Sequence, residues 1–145
     1  MRGTRCHMLA MYVVLENYLG MVCDYPAAYE GQPGFEFLKE VPTVWDETKV
    51  LDAKVGEYIL IARRKNNDWF VGAITNHEMR QLSVPATFLG QGKYEVDIYT
   101  DAADAKQNPN HLTKQVRSIY NNDKIDVTLS SGGGMVMHVR SLEGK

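Results

Sequence analysis

Cysteine is scarce in this chain, which has two cysteines among its 145 residues, Cys6 and Cys23, and no CxxC pair. Their spacing matches no zinc-binding pattern, and the four histidines are scattered along the sequence, so the sequence predicts no metal site. A disulfide between Cys6 and Cys23 is conceivable in an oxidising compartment. The alternative is that both thiols act as small hydrophobic side chains in an apolar segment.

The chain also lacks a strong excess of charge of either sign and a long apolar run. The net charge of -2 gives no electrostatic reason to expect a nucleic-acid partner. The apolar segment near the start is interrupted by Glu16 and Asn17, is too short to span a bilayer, and has no small-residue cleavage site before Asp24. We therefore expect no membrane-spanning segment and no signal peptide here, as for a chain whose natural N-terminus lies upstream of Met1.

The hydrophobic pattern changes near Pro42, with helical periodicity before it and strand-like alternation after it. Residues 4–18 predict a helix that is apolar on almost every face, residues 19–23 predict a buried parallel strand, and residues 35–40 predict a second helix. Helix, strand and helix make one repeat of an α/β barrel, and one repeat cannot bury its own faces. Residues 1–42 are therefore predicted to be the last αβα piece of a barrel, with the first helix shielded by the sandwich or by a second copy of the chain.

Residues 43–145 predict an antiparallel β-sandwich of about eight strands with Greek-key-like connections, so the fold class is mainly β. Alternation places Tyr94, Val96 and Ile98 on one face of a strand, with Glu95 and Asp97 on the other. The predicted strands cover residues 49–55, 58–64, 69–75, 81–85, 93–100, 113–119, 124–129 and 135–140.

Several ordered strings resemble the C-terminal part of family 97 glycoside hydrolases. Before the sandwich and at its start they are Gly3-Thr4-Arg5, His7, Ala10-Met11-Tyr12-Val13-Val14, Pro42-Thr43-Val44-Trp45-Asp46-Glu47-Thr48 and Gly56-Glu57-Tyr58. They continue with Ala62-Arg63-Arg64, Trp69-Phe70-Val71-Gly72-Ala73 and Gly132-Gly133-Gly134. Because the strings span nearly the whole chain in family order, the resemblance is specific although any one string would carry little weight.

The resemblance implies a parent α-glucosidase or α-galactosidase that acts on oligosaccharides and is located in the periplasm or cell envelope. Such enzymes have an N-terminal sandwich, a (β/α)8 barrel with a calcium-dependent active site, and a C-terminal sandwich. The family's catalytic and calcium-binding carboxylates lie in the upstream barrel, so the resemblance assigns no catalytic or metal residue to this chain. The expected role of the chain is accessory: it supports the barrel, and its partners are the upstream barrel and the N-terminal domain.

The acidic residues of the chain do not form an obvious catalytic pair. Asp46 and Glu47 are sequence neighbours, so on a strand they point to opposite faces and cannot flank one glycosidic bond. Asp24 follows the predicted barrel strand, at the end where barrel active sites are built, so Asp24 and Tyr25 are candidate substrate contacts in the full barrel. The alternative for Asp24 is a loop-start or helix-capping residue.

An independent carbohydrate-binding module is the alternative function. Trp69 and Tyr99 could form an aromatic platform that stacks on sugar rings, with Tyr99 on the polar side of its strand as the best exposed candidate. Against this, Trp69, Val71 and Ala73 share one face in a pattern typical of core packing. Glu16 lies in the otherwise apolar first helix, so we expect it either to form an ion pair, for which Arg5 is a candidate partner, or to lie on an exposed edge. We further expect Gly132-Gly133-Gly134 to form a flexible hairpin connection and the apolar first helix to permit self-association.

Overall fold

A computed structural model describes residues 3–16, 18–20 and 25–142. Helix α1 runs over Arg5–Val14 and helix α2 over Phe35–Glu40, and short 3-10 turns cover Pro26–Ala28 and Ala86–Phe88. The hydroxyl of Thr4 accepts a hydrogen bond from the backbone N–H of His7 and so caps the start of α1. The helix ends at Val14, four residues earlier than predicted, because Leu15 adopts an extended backbone.

The barrel strand predicted over residues 19–23 is not found at Leu19 and Gly20. Tyr18 and Leu19 lie in a turn with 71% and 79% of their surface exposed, so they are not buried as a barrel strand would be. Residues 21–24 lie outside the described part of the chain. The second predicted helix, over residues 35–40, is confirmed as α2.

Eight strands follow the helices, each within two residues of its predicted bounds. They are β1 (Glu47–Lys54), β2 (Tyr58–Lys65), β3 (Asp68–Thr75), β4 (Arg80–Pro85), β5 (Tyr94–Asp101), β6 (Leu112–Ile119), β7 (Lys124–Leu129) and β8 (Gly134–Ser141). A six-stranded sheet has the order β1-β2-β3-β8-β5-β6, a two-stranded sheet pairs β4 with β7, and every pairing is antiparallel. The chain crosses between the sheets after β3, β4, β6 and β7, and the predicted antiparallel β-sandwich of about eight strands is confirmed.

The first hydrophobic core fills the space between the two sheets. Tyr94, Val96 and Ile98 point into it as the alternation predicted, and Trp69 joins them from β3. The small sheet contributes buried side chains at every second position of β7, which are Ile125, Val127 and Leu129.

A second hydrophobic core lies on the opposite face of the six-stranded sheet, under the helices. Leu9, Ala10 and Val13 of α1 and Phe37 of α2 are buried there against the sheet. The sheet side chains in this core are Ile61, Phe70, Tyr99 and Val136. The sandwich therefore shields the inner face of α1, which confirms one of the two predicted ways of covering this helix. None of the described helices is long and apolar enough to cross a membrane.

Candidate functional site

Helix α1 lies unusually close to the six-stranded sheet because two glycines face it. A Cβ atom added at Gly72 of β3 would lie 2.8 Å from the Cβ of Val13, and one added at Gly134 of β8 would lie 2.7 Å from the Cα of His7. Neither contact distance is tolerated by real side chains, so glycine at these two positions lets the helix backbone approach the strands. These two glycines of the sheet therefore determine how closely α1 packs on it.

The N-terminal end of α1 is fixed by the loop between β7 and β8. The backbone N–H of Thr4 donates to the carbonyl oxygen of Gly132 over 3.2 Å, and Nδ1 of His7 lies 3.2 Å from the carbonyl oxygen of Gly133. Because β7 and β8 belong to different sheets, this loop is a crossover and not the predicted hairpin. Its backbone makes hydrogen bonds to Thr75 and Asn76, and the flexibility of the connection stays a prediction.

Asp101, at the end of β5, holds the conformation of the β7–β8 loop through hydrogen bonds. Its Oδ2 accepts hydrogen bonds from the backbone N–H groups of Ser130, at 2.9 Å, and Gly134, at 3.2 Å. A Cβ atom added at Gly133 would lie 2.0 Å from the same oxygen, so only glycine fits there. Cys6 is buried and free above this carboxylate, and its burial together with the negative charge of Asp101 raises the pKa of the thiol. In this structure Cys6 is therefore a small buried side chain. Cys23 lies outside the described residues.

The C-terminal end of α1 is held by Arg63 of β2. Its Nη2 donates to Oε1 of Glu16 over 2.9 Å and to the carbonyl oxygen of Val14 over 3.4 Å, and its guanidinium lies 5.7 Å from the ring centre of Trp45. The expectation that Glu16 forms an ion pair or lies at an exposed edge agrees with the structure, but its partner is Arg63 and not the candidate Arg5. Glu16 lies beyond the end of the shortened helix, where β2 reaches it.

Arg63 is a residue whose role sequence reasoning missed. The side chain is only 4% exposed, and within the described part of the chain its Nε and Nη1 have no hydrogen-bond partner. Period-two alternation from Ile59 and Ile61 puts Arg63 on the helix-covered face, and this was the signal that could have identified it. Its neighbour Arg64 points to the other face and pairs with Glu47 at 3.0 Å.

The outer face of α1 is apolar and open. Met8 is 56% exposed on this face, and Leu15, the residue that follows the helix, is 46% exposed. Between α1 and the segment that contains α2 lies a groove of about 480 Å³, to which Met8, Tyr12 and Leu38 contribute. Arg5 crosses its rim and donates from Nη1 to Oε1 of Gln32 over 3.1 Å. The helix therefore has an inner apolar face on the sandwich and an outer apolar face that the described residues leave uncovered.

Of the two candidate substrate contacts, the structure describes Tyr25. Asp24 lies outside the described residues. Tyr25 is 68% exposed and precedes the 3-10 turn Pro26–Ala28. A role of either residue in a complete barrel stays a prediction.

The aromatic platform proposed for Trp69 and Tyr99 is not available on the surface of this chain. Trp69 is 6% exposed and lies 5.0 Å from Phe88 in the core between the sheets. Tyr99 is on the polar side of β5 as predicted, but its expected exposure was wrong, since it is 2% exposed. The reason is that α2 covers this face, with Phe37 5.9 Å from the ring of Tyr99.

Asp46 and Glu47 form local ion pairs at the junction between the helices and the sandwich. The backbone N–H of Asn66 and the ammonium of Lys65 hold the pKa of Asp46 below its usual range, and Arg64 and Lys49 do the same for Glu47. A general acid must keep its proton near neutral pH, which is the opposite condition. Trp45, the residue before this pair, packs against Phe70 with ring centres 5.5 Å apart.

The described residues do not fit a calcium site. Within residues 3–16, 18–20 and 25–142, no group of three or more His, Cys, Asp or Glu side chains could hold a metal ion. Carboxylates of the described residues are instead paired with cations, as in the partly exposed Glu57 with Arg80 and the buried Asp97 with Arg140.

Comparison with known proteins places this architecture in a family. Residues 44–140 match the family model described as "Glycosyl-hydrolase 97 C-terminal, oligomerisation". The chain is 40% identical over 140 residues to the retaining alpha-galactosidase of Bacteroides thetaiotaomicron, an alignment that covers 96% of this chain and 21% of that protein. It is 28% identical over 127 residues to a probable retaining alpha-galactosidase of Streptomyces bingchenggensis, covering 87% of this chain and 19% of that protein.

A solved structure agrees with the sequence matches. A glycoside hydrolase family 97 enzyme in complex with acarbose, from Pseudoalteromonas sp. strain K8, superposes with a TM-score of 0.90 at 36% identity and covers 97% of this chain and 23% of that chain. The chain thus spans about a fifth of the length of the curated relatives it matches. With its antiparallel sandwich and its match to the C-terminal model over residues 44–140, the chain belongs to the family of C-terminal domains of family 97 glycosyl hydrolases.

Proposed function

We propose that this chain is the accessory C-terminal part of a longer enzyme that hydrolyses α-galactosidic or α-glucosidic bonds in oligosaccharides. The catalytic carboxylates and the calcium ion belong, in this proposal, to an upstream barrel, and an N-terminal domain precedes that barrel. The names of the two relatives favour α-galactosides. The family resemblance supports a periplasmic or cell-envelope location.

The proposed accessory role is supported by the two apolar faces of α1. The inner face is buried on the six-stranded sheet, while Met8 is exposed on the outer face. A helix that is apolar on both sides is stable in water only between two layers. The sandwich supplies one layer, and the proposed barrel supplies the other. In this proposal, the chain packs against the last helices of the barrel and stabilises them.

A hybrid enzyme tests this proposal. In it, this chain replaces the matched segment of the Bacteroides thetaiotaomicron retaining alpha-galactosidase, and turnover of a chromogenic α-galactoside is measured. We expect the hybrid to be active and the isolated chain to be inactive at high concentration. Turnover by the isolated chain would contradict the accessory role, and an inactive hybrid would contradict the assignment to the parent enzyme.

Single substitutions in the hybrid test the outer face of α1. Met8→Asp puts a charge on the proposed barrel contact, so we expect the hybrid to unfold or lose activity at a lower temperature. Tyr120→Asp is the control, since Tyr120 is also half-exposed but follows β6 at the opposite end of the sandwich. Equal effects of the two changes would argue against α1 as the contact.

We propose self-association as a second role, because the description of the matching family names oligomerisation. When the upstream barrel is absent, the outer face of α1 is free to meet a second copy. Light scattering of the isolated chain over a range of concentrations is expected to show a dimer or larger species that Met8→Asp dissociates. A wild-type chain that stays monomeric at high concentration would exclude this role for the isolated domain.

The two residues that suggested an independent carbohydrate-binding module do not support this alternative. Trp69 and Tyr99 are both buried, so neither ring offers a face to a sugar. Titration with galacto- and malto-oligosaccharides is expected to leave the NMR spectrum of the isolated chain unchanged. Specific shifts would restore this alternative at another surface.

A further inference from the structure

The edge strand β6 is open along its outer side. It forms one end of the six-stranded sheet, so the backbone N–H and C=O groups that point away from β5 have no strand of the described residues beside them. The side chains from Thr113 to Ser118 are exposed on both faces of the strand. An edge strand of this kind is a template for pairing with another chain.

The other sheet edges have features that disfavour such pairing. Strand β1, at the opposite end of the large sheet, has a bulge between Val50 and Asp52. Strands β4 and β7 are two residues shorter than β6, and β4 ends in Pro85, which has no backbone N–H to donate. Bulges, prolines and short strands are common ways in which proteins protect a sheet edge. Strand β6 instead pairs with β5 in one continuous register, so its outer side is a regular edge.

A second copy of this chain fits the edge because an antiparallel pair of identical strands is self-complementary. A two-fold axis perpendicular to the sheet brings β6 beside β6 of the copy and keeps the helix-covered faces of both sheets on the same side. Side chains opposite each other then belong to the same face. Because neighbouring residues alternate between the faces, a residue pairs with its own copy or with one an even number of positions away. The pair is therefore centred on a single residue of β6.

The charges of β6 select the residue at the centre. A centre at Lys114 or Arg117 would place two like charges directly opposite each other, which destabilises a strand pair. A centre at Val116 brings together two Val116 side chains that are each 57% exposed in the single chain, and so covers apolar surface. It also places Gln115 opposite Arg117 of the copy. These two side chains already form a hydrogen bond of 2.8 Å within one strand, so they are chemically matched.

The helix-covered face provides a second charge match. With Val116 at the centre, Lys114 of the copy lies opposite Ser118, whose neighbour in β5 is Glu95. Two strand spacings, roughly 10 Å, then separate the Cα atoms of this lysine and this glutamate, and their long side chains can meet over the small serine. The lysine and glutamate side chains are 40% and 41% exposed in the single chain. The two-fold axis repeats the pair of opposite charges on the other side of the centre.

We infer that β6 pairs antiparallel with β6 of a second copy around Val116, so that the two large sheets become one continuous sheet. This inference rests on the proposed self-association and gives it a second surface besides the outer face of α1. The paired residues, 113–119, form about six to eight backbone hydrogen bonds between the copies. The pairing ends before Tyr120, whose N–H donates to Asp123 in the turn after β6. Helix α1 packs mainly on β3 and β8, so the contact leaves its outer face to the proposed barrel.

The chain with Met8→Asp tests this inference, since that change blocks the proposed contact through α1. The wild-type chain has both surfaces and is expected to form larger species, which Met8→Asp reduces to dimers measured by analytical ultracentrifugation. Adding Val116→Asp or Val116→Lys puts like charges at the centre and is expected to weaken the dimer about tenfold or more. An equimolar mixture of the two double variants is expected to restore it. Val50→Asp, on the other edge strand at a similar exposure of 60%, is the matched control and should leave the dimer intact.

Cysteine cross-linking measures the register directly. The two residues at the centre of an antiparallel pair have Cα atoms about 4.5 to 5.5 Å apart, which is within the range of a disulfide. Val116→Cys in the Met8→Asp chain is therefore expected to give a cross-linked dimer under mild oxidation. Ser118→Cys is expected to give no more cross-linking than the chain with its native cysteines, since an offset of four residues separates the two positions by about 14 Å.

The outcomes separate this inference from the self-association on which it rests. A Met8→Asp chain that is monomeric while the wild-type chain associates would overturn the inference and leave the contact through α1 in place. A mixture of the Val116 variants that stays monomeric, a dimer that neither variant weakens, or equal cross-linking at positions 116 and 118 would overturn the pairing around Val116. A wild-type chain that stays monomeric at high concentration would overturn both proposals.

Discussion

Arg63 shows how one buried side chain links the helices to the sandwich. Its guanidinium contacts the end of α1 through Val14 and Glu16 and lies beside Trp45, the residue that leads into β1. Glu16 itself is 62% exposed, so removal of Arg63 does not leave a buried negative charge. The contribution of Arg63 to stability is therefore expected to come from packing more than from its ion pair.

Two substitutions of Arg63 separate packing from charge. Arg63→Met keeps most of the volume and removes the two nitrogens that have no partner among the described residues, so we expect a change in unfolding free energy below about 1 kcal/mol. Arg63→Ala leaves a cavity beside Trp45, and we expect a loss of about 2 kcal/mol or more. Urea denaturation of the isolated chain measures both values. A large loss with methionine would mean that the charge itself holds the helix.

Gly133 is the position in the β7–β8 loop where a methyl group is least tolerated. In Gly133→Ala, the new Cβ would clash with Oδ2 of Asp101 and with backbone atoms of Ser130, so the hydrogen bonds that fix the loop must break. We expect a loss of about 3 kcal/mol in unfolding free energy. Gly31→Ala is the control, since Gly31 also tolerates alanine poorly, with a φ of +72°, but has open space around it. It should cost only the backbone strain of about 1 to 2 kcal/mol, and equal losses would refute the clash.

Among the elements, the β1–β2 hairpin carries two glutamates, Glu47 and Glu57, that are paired with cations. The ammonium of Lys54 and then the guanidinium of Arg80 lower the pKa of Glu57, and Arg64 and Lys49 lower the pKa of Glu47. A carboxyl whose pKa is lower in the folded chain than in the unfolded chain binds fewer protons when folded. It therefore stabilises the fold above the unfolded pKa, and this contribution disappears as the pH falls through the folded pKa.

The hairpin is thus expected to give the chain an acid-sensitive stability. The midpoint of thermal unfolding should be level above about pH 5 and should fall as the pH drops below about 4.3, the usual pKa of glutamate. Because these carboxylates are at the surface, the fall should be smaller in high salt. Glu57→Gln should flatten the acid limb, whereas Glu30→Gln, on an exposed loop glutamate, should leave it unchanged. An acid limb identical in both variants would assign the effect to other groups.

The strands were predictable from the sequence, and the helical region was predictable only in part. Alternation in β5 and β7 is local information, and so is the turn residue Asn66 between β2 and β3, so strand positions follow from such signals. The end of α1 depends on Arg63, which is 47 residues downstream of Glu16, and no local pattern contains that contact. The prediction that Tyr99 is exposed failed for the same reason. Helix α2 covers a strand face that alternation alone describes as polar.

At the scale of the whole molecule, the helices and the large sheet form the second hydrophobic core together, although the sequence pattern divides at Pro42. Helices α1 and α2 bury Leu9, Val13 and Phe37 on the large sheet, and each fully buried side chain of this kind contributes about 1.5 to 3 kcal/mol. Together they contribute about 5 kcal/mol or more, which is comparable with the whole stability of a typical domain. The sandwich in this chain is therefore not expected to be independent of the segment before it.

Truncation of the chain to residues 43–145 tests this dependence. Without the helices, Phe70, Tyr99 and Val136 would form an exposed apolar face in the middle of the large sheet, so we expect the fragment to aggregate or to lose its fixed tertiary packing. The complete chain should instead unfold in one cooperative step in which the signals of helix and strand change together. Near-UV circular dichroism and light scattering of both proteins measure the difference, and Met8→Asp in the complete chain controls for a charge on the outer face of α1. A fragment that is monomeric and keeps native near-UV signals would show that the sandwich holds itself together and that the helices are only attached to it.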